Sequence, residues 1–288
     1  MLETMLGANL IQKKLLIKSH SNSFYRVIMS KLNINKIGIV SRDYRNREKN
    51  GHRDFSYAFK SILTTLDEQA CDSVLFSLYT IDKRTSFNVE NILKELNIKN
   101  IRTIFLEEFK DDEERIRLEN VIYYQDKDQW REQRLTQKFA RGNELTKKRI
   151  EDFRKEVKEK RLFGNFAILL CGESNIVIYN KNEKKIGDPH SYSPLLDKDI
   201  KVILNPIHDK MTRYEMKLKR KYLSKQKRWV VSIWNRGKSD KNGKVKMDHK
   251  NPHGWDIYYD GMEKELKPIN HNVDNQGDIQ IAIVNLYS

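Results

Sequence analysis

The sequence predicts an α/β chain in which sheets are covered by helices, folded as one large domain. Three observations predict it. Over the first 125 residues short apolar runs alternate with segments of helical spacing. After a polar stretch the pattern restarts at Asn165–Cys171 (NFAILLC), a continuous apolar run of the kind buried on both faces of a sheet. Neither an internal repeat nor an obvious linker divides the 288 residues.

The elements follow in order. Residues 1–35 have a weak pattern and read as an N-terminal arm or peripheral helix. Lys36–Ser41 (KIGIVS) reads as a buried strand, and Arg42–Arg53 as a polar loop. Asp54 stands where a helix N-cap belongs, with Phe55, Phe59, Ile62 and Leu66 at helical spacing up to Ala70. Asp72–Thr80 is a second strand, and Val89, Ile92, Leu93 and Leu96 mark a second helix. Ile101–Leu106 gives a third strand, Glu107–Glu114 an acidic turn, and Asn120–Gln125 a fourth strand. Residues 128–162 are polar and helix-prone, either one charged helical excursion or two helices broken at Gly142. Ile200–Asn205 is a strand ended by Pro206; Met211, Tyr214, Leu218 and Tyr222 form a helical stripe; Trp229–Trp234 returns as a strand. Residues 236–253 form a Gly/Asn/Lys loop, and Trp255–Tyr259 and Ile279–Leu286 close the chain, with a turn at Asp260-Gly261.

Composition narrows the class. Gly and Pro total only 17 residues, which excludes collagen-like and low-complexity chains. The longest apolar stretch, Phe166–Cys171, is far short of the roughly 20 residues of a membrane span. Cys71 and Cys171 are too few for a disulfide framework, so a reducing cytoplasm is the expected setting. The net charge of +15 is uneven: Lys127–Arg161 carries 13 basic and 7 acidic residues, and Asp209–Lys250 carries 15 and 4, leaving the rest near neutral. Such patches suit phosphates or other anions, and equally suit solvated helices.

Cys171 closes the most hydrophobic strand and is followed by Gly172-Glu173-Ser174-Asn175. A cysteine on a tight turn at a strand end projects into a crevice, and the next amides can face an oxyanion. It is nucleophilic only as thiolate and so needs a nearby base or cation.

The order of elements around that cysteine resembles the carbon-nitrogen hydrolase (nitrilase) superfamily over roughly residues 36–286. The resemblance rests on FSYAFKSILTTLDEQACDSVLFSL as helix and strand, FAILLCGESN as nucleophile strand, VILNPIHDKMTRYEMKLKRKYLSKQKRWVVSIWNRG as strand, Asn-Pro, helix and strand ending in Asn, GWDIYYDGMEKEL as hairpin and GDIQIAIVNL as last strand. It implies an α-β-β-α sandwich over residues 36–288 and a Glu–Lys–Cys triad. In that triad Glu is the base, Lys stabilises the oxyanion and Cys forms a thioester. By motif it assigns Cys171 as nucleophile, Lys138 as the lysine and Glu144 as a second glutamate, with Glu173 at the acidic position two residues after the cysteine. Glu173 and Asn175 in that turn, with His208 and Asn235 after strands beside the expected crevice, are the candidate substrate-side residues. The family's base position falls on Leu78. A neighbouring carboxylate, Glu107 or Glu108, takes over that role, or else the site has lost ordinary amide or nitrile hydrolysis.

No Walker-type or dinucleotide glycine pattern is present, and the pairs Asp188/His190, His208/Asp209 and His249/His253 fall short of a metal site, so no cofactor or metal is expected. Two readings stay open. One is a cytoplasmic thiol hydrolase of C–N bonds acting on a small amide-like or anionic substrate. The other is a catalytically altered module whose basic face at residues 210–250 docks nucleic acid or another anionic partner, as would suit bacterial defence. A homo-oligomer is compatible with both.

Overall fold

The computed structural model describes residues 32–43, 54–112, 115–196, 199–208, 213–237, 253–269 and 278–287. The first half contains β1 (Lys36–Arg42), α1 (Phe59–Glu68), β2 (Ser73–Phe76), β3 (Ile81–Asp82), α2 (Val89–Glu95), β4 (Thr103–Asp112), β5 (Arg115–Asp126) and β6 (Gln129–Leu135). The second contains α3 (Lys147–Glu156), β7 (Leu162–Phe163), β8 (Phe166–Ile168), β9 (Ile178–Asn180), β10 (Lys185–Gly187), β11 (Val202–Pro206), α4 (Tyr214–Leu223), β12 (Trp229–Ile233), β13 (Trp255–Tyr259), β14 (Met262–Lys264) and β15 (Ile279–Asn285).

Two large sheets result. One runs β15-β1-β2-β4-β5-β6, with β3 also paired to β4; the other runs β14-β13-β12-β11-β8-β7. β1, β2 and β4 are mutually parallel, as are β8, β11 and β12. Alternation along the strands sorts the side chains into three layers of core. Ile37, Ile39, Leu75, Phe105 and Ile122 of the first sheet meet Phe166, Ile168, Leu204, Val231 and Ile257 of the second. Val40, Val74, Phe76 and Ile104 face the other way, onto Phe59, Ile62, Leu66 and Leu93 of α1 and α2. Ala167, Ile203 and Val230 back onto Phe153 of α3 and Leu223 of α4. The architecture is therefore the α-β-β-α sandwich expected from the resemblance. Among the described residues no helix is long and apolar enough to cross a membrane.

Two segments differ from the sequence expectation. Glu107–Glu114 was expected to turn, yet β4 continues to Asp112 and pairs with β5 along its length. Acidic side chains survive in that strand because each face supplies partners, a compensation that apolar periodicity does not register. In residues 128–162 the first part is strand: β6 is laddered to β5 from Asn120↔Leu135 to Asp126↔Gln129. Its side chains are mostly exposed, as befits an edge strand, and that polarity imitates a solvated helix. The helix begins only at Lys147, where Thr146 accepts from the Arg149 amide at 3.3 Å. Residues 1–31 of the expected arm and 238–252 of the Lys-rich loop lie outside the described residues.

Phe166 ties the two sheets: it is fully buried, stacks on Phe163 at 4.8 Å and meets Phe105 edge-on at 5.4 Å. Phe166→Ala should cost about 3–5 kcal/mol of unfolding free energy, read as a lower midpoint in urea with an unchanged slope; a loss below about 1 kcal/mol would contradict this packing.

Candidate active site

The parallel strands of both sheets end on one side of the sandwich, where open α/β sheets place their ligands. Leu78 follows β2, Cys171 follows β8, His208 follows β11, and Trp234-Asn235 follow β12. Leu78, Cys171, Ile207 and Trp234 form one buried apolar cluster.

Cys171 opens a 3-10 turn, Cys171–Ile176, with φ +35°, the left-handed region that non-glycine residues rarely enter. Contacts on every side hold it there. The Glu173 amide donates to the Leu170 carbonyl at 2.8 Å, and its side chain accepts from the Leu170 amide at 2.9 Å. Asn205 donates to the Leu169 carbonyl at 2.5 Å and reaches the Cys171 carbonyl at 3.5 Å. A Cβ on Gly172 would lie 2.0 Å from the Ala140 carbonyl oxygen, so only glycine lets the 140 loop close against the turn.

Glu107 points from the middle of β4 into the space between the sheets, on the same side as Phe105, while Glu108 points outward. It is 0% exposed. Its amide donates to Thr80 Oγ1 at 3.0 Å, its carbonyl accepts from the Thr80 amide at 3.0 Å, and its Oε2 accepts from the Tyr79 amide at 2.8 Å. The loop following Leu78 thus aims a carboxylate of the neighbouring strand. Both Glu107 oxygens lie 3.0 Å from His208 Nε2. The His208 ring packs 4.9 Å from the Tyr79 ring, and Cys171 is among the groups near enough to act on its charge. Burial opposes the imidazolium, but the contacts with Cys171 and Glu107 outweigh it and push the His208 pKa up to about 10.

The other sequence-singled residues lie around this cluster. Glu173 is fully buried behind the turn, accepting from the Lys138 amide at 2.7 Å and paired with Arg161. Lys138 Nζ is paired with Glu156, which also holds Arg161 at 2.7 Å. Burial works against the Arg161 charge, yet Glu173 and Glu156 hold it above its ordinary value. Glu144 accepts from the Ala140 amide and from Arg149, both at 3.1 Å. Asn175 donates to the Ala140 carbonyl at 3.0 Å and accepts from Lys219 at 2.7 Å. Asn235 donates to the Leu78 carbonyl at 2.6 Å and accepts from Ser77 Oγ at 2.5 Å, tying the two sheets at the rim. Glu108 binds Arg134 and Tyr123, each at 2.9 Å; burial alone would raise its pKa, but Arg134, Tyr123 and Lys83 hold it below the usual range.

The structure therefore brings together Cys171, Glu107 and His208, and places Lys138, Glu144 and Glu173 in ion pairs and loop contacts behind the turn. Tyr79, Thr80 and Asn205 do positioning work that the sequence did not single out; each is a short-range polar contact with no periodicity to betray it. Among the described residues no group of three or more His, Cys, Asp and Glu converges as a metal site. The residues at 209–212 and 248–249 fall outside the description.

The sandwich thus places a cysteine on a strained turn beside a buried His–Glu pair. No family model and no curated protein matches the chain. Solved structures similar to it belong to the superfamily named from the motifs. One is a carbon-nitrogen hydrolase from Helicobacter pylori G27, at 9% identity over 88% of this chain and 90% of that one, TM-score 0.44. Another is a CN-hydrolase superfamily protein from Xanthomonas campestris with an arsenic adduct in its active site, at 12% identity over 88% and 89%, TM-score 0.43. A third is an amidase from Nesterenkonia sp., at 9% identity over 88% and 92%, TM-score 0.46.

The raised pKa of His208 carries a sign. The folded protein holds this proton more tightly than the unfolded chain, whose histidine titrates near 6.5. The resulting stability is complete below about pH 6.5 and is lost as pH rises toward 10. Stability should fall across that window in the intact protein and fall less in His208→Gln, as measured by urea midpoints at pH 6, 8 and 9.5; parallel curves would contradict the pairing.

Proposed function

We propose that the protein is a divergent carbon-nitrogen hydrolase that cleaves an amide-type C–N bond through a Cys171 thioester, with His208 held by Glu107 in place of the superfamily's glutamate base. The observation that carries this reading is the buried Glu107–His208 pair at the common end of both sheets, beside the strained turn that opens at Cys171.

The residues divide the work as a thiol site requires. Cys171 attacks the carbonyl carbon as thiolate, with the His208 imidazolium beside it as counter-ion. The oxyanion forms against the backbone N–H groups of the turn that begins at Gly172. His208 then gives its proton to the departing amine, the C–N bond breaks and a thioester remains. Water attacks the thioester while His208 takes its proton; the acid leaves and the thiol site is restored. Glu107 keeps the imidazole oriented and stabilises its charged form. Lys138, engaged with Glu156, and Glu144, engaged with Arg149, have no part in this scheme. Leu78, at the family's base position, is an apolar wall of the pocket.

Cys71 provides an internal control, since burial pushes its thiol up to about 12 and leaves it 0% exposed. Iodoacetamide should label Cys171 selectively and well below pH 8, and His208→Ala should slow this by about 100-fold or more. Glu107→Gln should slow labelling with the fold retained by circular dichroism. Slow labelling of Cys171 that does not respond to either substitution would overturn the scheme.

A further inference from the structure

Beneath the nucleophile turn, helix α4 buries two consecutive cations. Lys219 is 6% and Arg220 1% exposed. Lys219 meets a neutral partner, the Asn175 side-chain oxygen, at 2.7 Å. Arg220 Nη1 is paired with Asp256 of β13. The nearby acids Glu215 and Glu263 contact Arg213 at 3.6 Å and Lys217 at 3.2 Å instead. Among the described residues the carboxylate in contact with this pair of cations is Asp256, on Arg220, while Glu215 and Glu263 act on them from further off.

Part of the hydrogen-bonding capacity of Arg220 is unused. Among the described residues Arg220 Nε and Nη2 are buried with no hydrogen-bond partner. These two N–H groups lie parallel along one edge of the guanidinium, the edge that grips a planar oxyanion with two bonds. A buried donor left unmet is costly, so an open fork in the interior calls for an acceptor. The Arg220 guanidinium lies 5.6 Å from the ring centroid of Trp234, and Trp234 belongs to the apolar cluster that contains Cys171. One aromatic ring therefore separates the open fork from the nucleophile.

We propose that the free edge of Arg220 binds a carboxylate carried by the substrate, whose amide carbonyl lies at Cys171 and whose intervening atoms run along Trp234. This rests on the thiol-hydrolase reading and narrows it to anionic amides. The carboxylate completes the fork. Trp234 sets the span between the two functional groups. Arg220 acts in binding only, as a specificity-determining residue.

Paired probes test this: N-iodoacetylglycine, which carries a carboxylate, and N-iodoacetylglycinamide, which does not, with a small free thiol as reference. The acid should alkylate Cys171 at least about tenfold faster relative to the amide than it does the reference thiol, tenfold corresponding to one 1.4 kcal/mol interaction. Arg220→Lys keeps a cation for Asp256 but loses the fork; it should abolish that preference, with the acid's rate taken relative to the amide probe's in the same variant. A preference equal to the reference thiol's, or one that survives Arg220→Lys, overturns the proposal. Binding is read separately in Cys171→Ser, where N-acetylglycine at matched ionic strength should raise the thermal midpoint and N-acetylglycinamide should not. Stabilisation there with unreactive Cys171 in the intact protein would sink the thiol scheme and keep the carboxylate site; equal stabilisation by inorganic phosphate would assign the fork to anions at large and sink the substrate carboxylate.

Discussion

The contact between Glu107 and His208 is the constraint on which the rest of the site depends, because its two partners come from different sheets. Glu107 is fixed by the β2–β3 loop through three backbone-level contacts, and His208 arrives on the end of β11. An unpaired carboxylate at 0% exposure would pay a desolvation penalty of several kcal/mol. The imidazolium meets that penalty only if the two sheets hold their present separation and register. The apolar layer between the sheets supplies that rigidity: Phe105 and Ile168 sit a few residues before Glu107 and Cys171, so the packing that aligns the strands also aligns the reactive groups.

Around this contact, each sheet contributes a tie at the rim. Asn235 reaches across to the Leu78 carbonyl and Ser77, and Ser41 reaches across to the Trp234 carbonyl at 2.8 Å. These hydrogen bonds hold the loop that aims Glu107. Behind the nucleophile, Lys138, Glu156, Arg161 and Glu173 form a closed chain of charged contacts, and Glu173 closes the turn through the Leu170 amide. The strained φ of Cys171 is therefore supported on three sides by groups that do not themselves face a substrate.

The fold was legible in the sequence wherever apolar periodicity ran unbroken, as in NFAILLC and the helix bearing Phe59, Ile62 and Leu66. It was illegible where polar residues were compensated in three dimensions. β4 carries Glu107 and Glu108 through its middle, so its second part reads as a turn, and β6 shows water most of its side chains and reads as helix-prone, because their partners are remote in sequence. Residues 107 and 208 are separated by 101 positions. Cys171 stood out from its strand end and glycine, and the leucine at position 78 raised the question of a substitute base. What sequence could not supply was the pairing of two candidates from separate considerations, an acidic residue and a histidine after Asn-Pro.

That pairing changes the chemistry asked of each group. A lone carboxylate base beside a cysteine must hold the proton it removes, which favours a protected site and a lysine to carry the oxyanion. An imidazole backed by a buried carboxylate can instead hold the proton as imidazolium beside the thiolate, give it to the leaving amine and take another from water. Lys138 is then free to serve as a structural ion-pair partner, which is the use its contact with Glu156 makes of it. In the proposed scheme the leucine at 78, the Lys138–Glu156 pair and the His208–Glu107 pair are one arrangement seen from three positions. A relay from β4 and β11 needs no lysine, and Leu78 stands as an apolar neighbour of the sulfur.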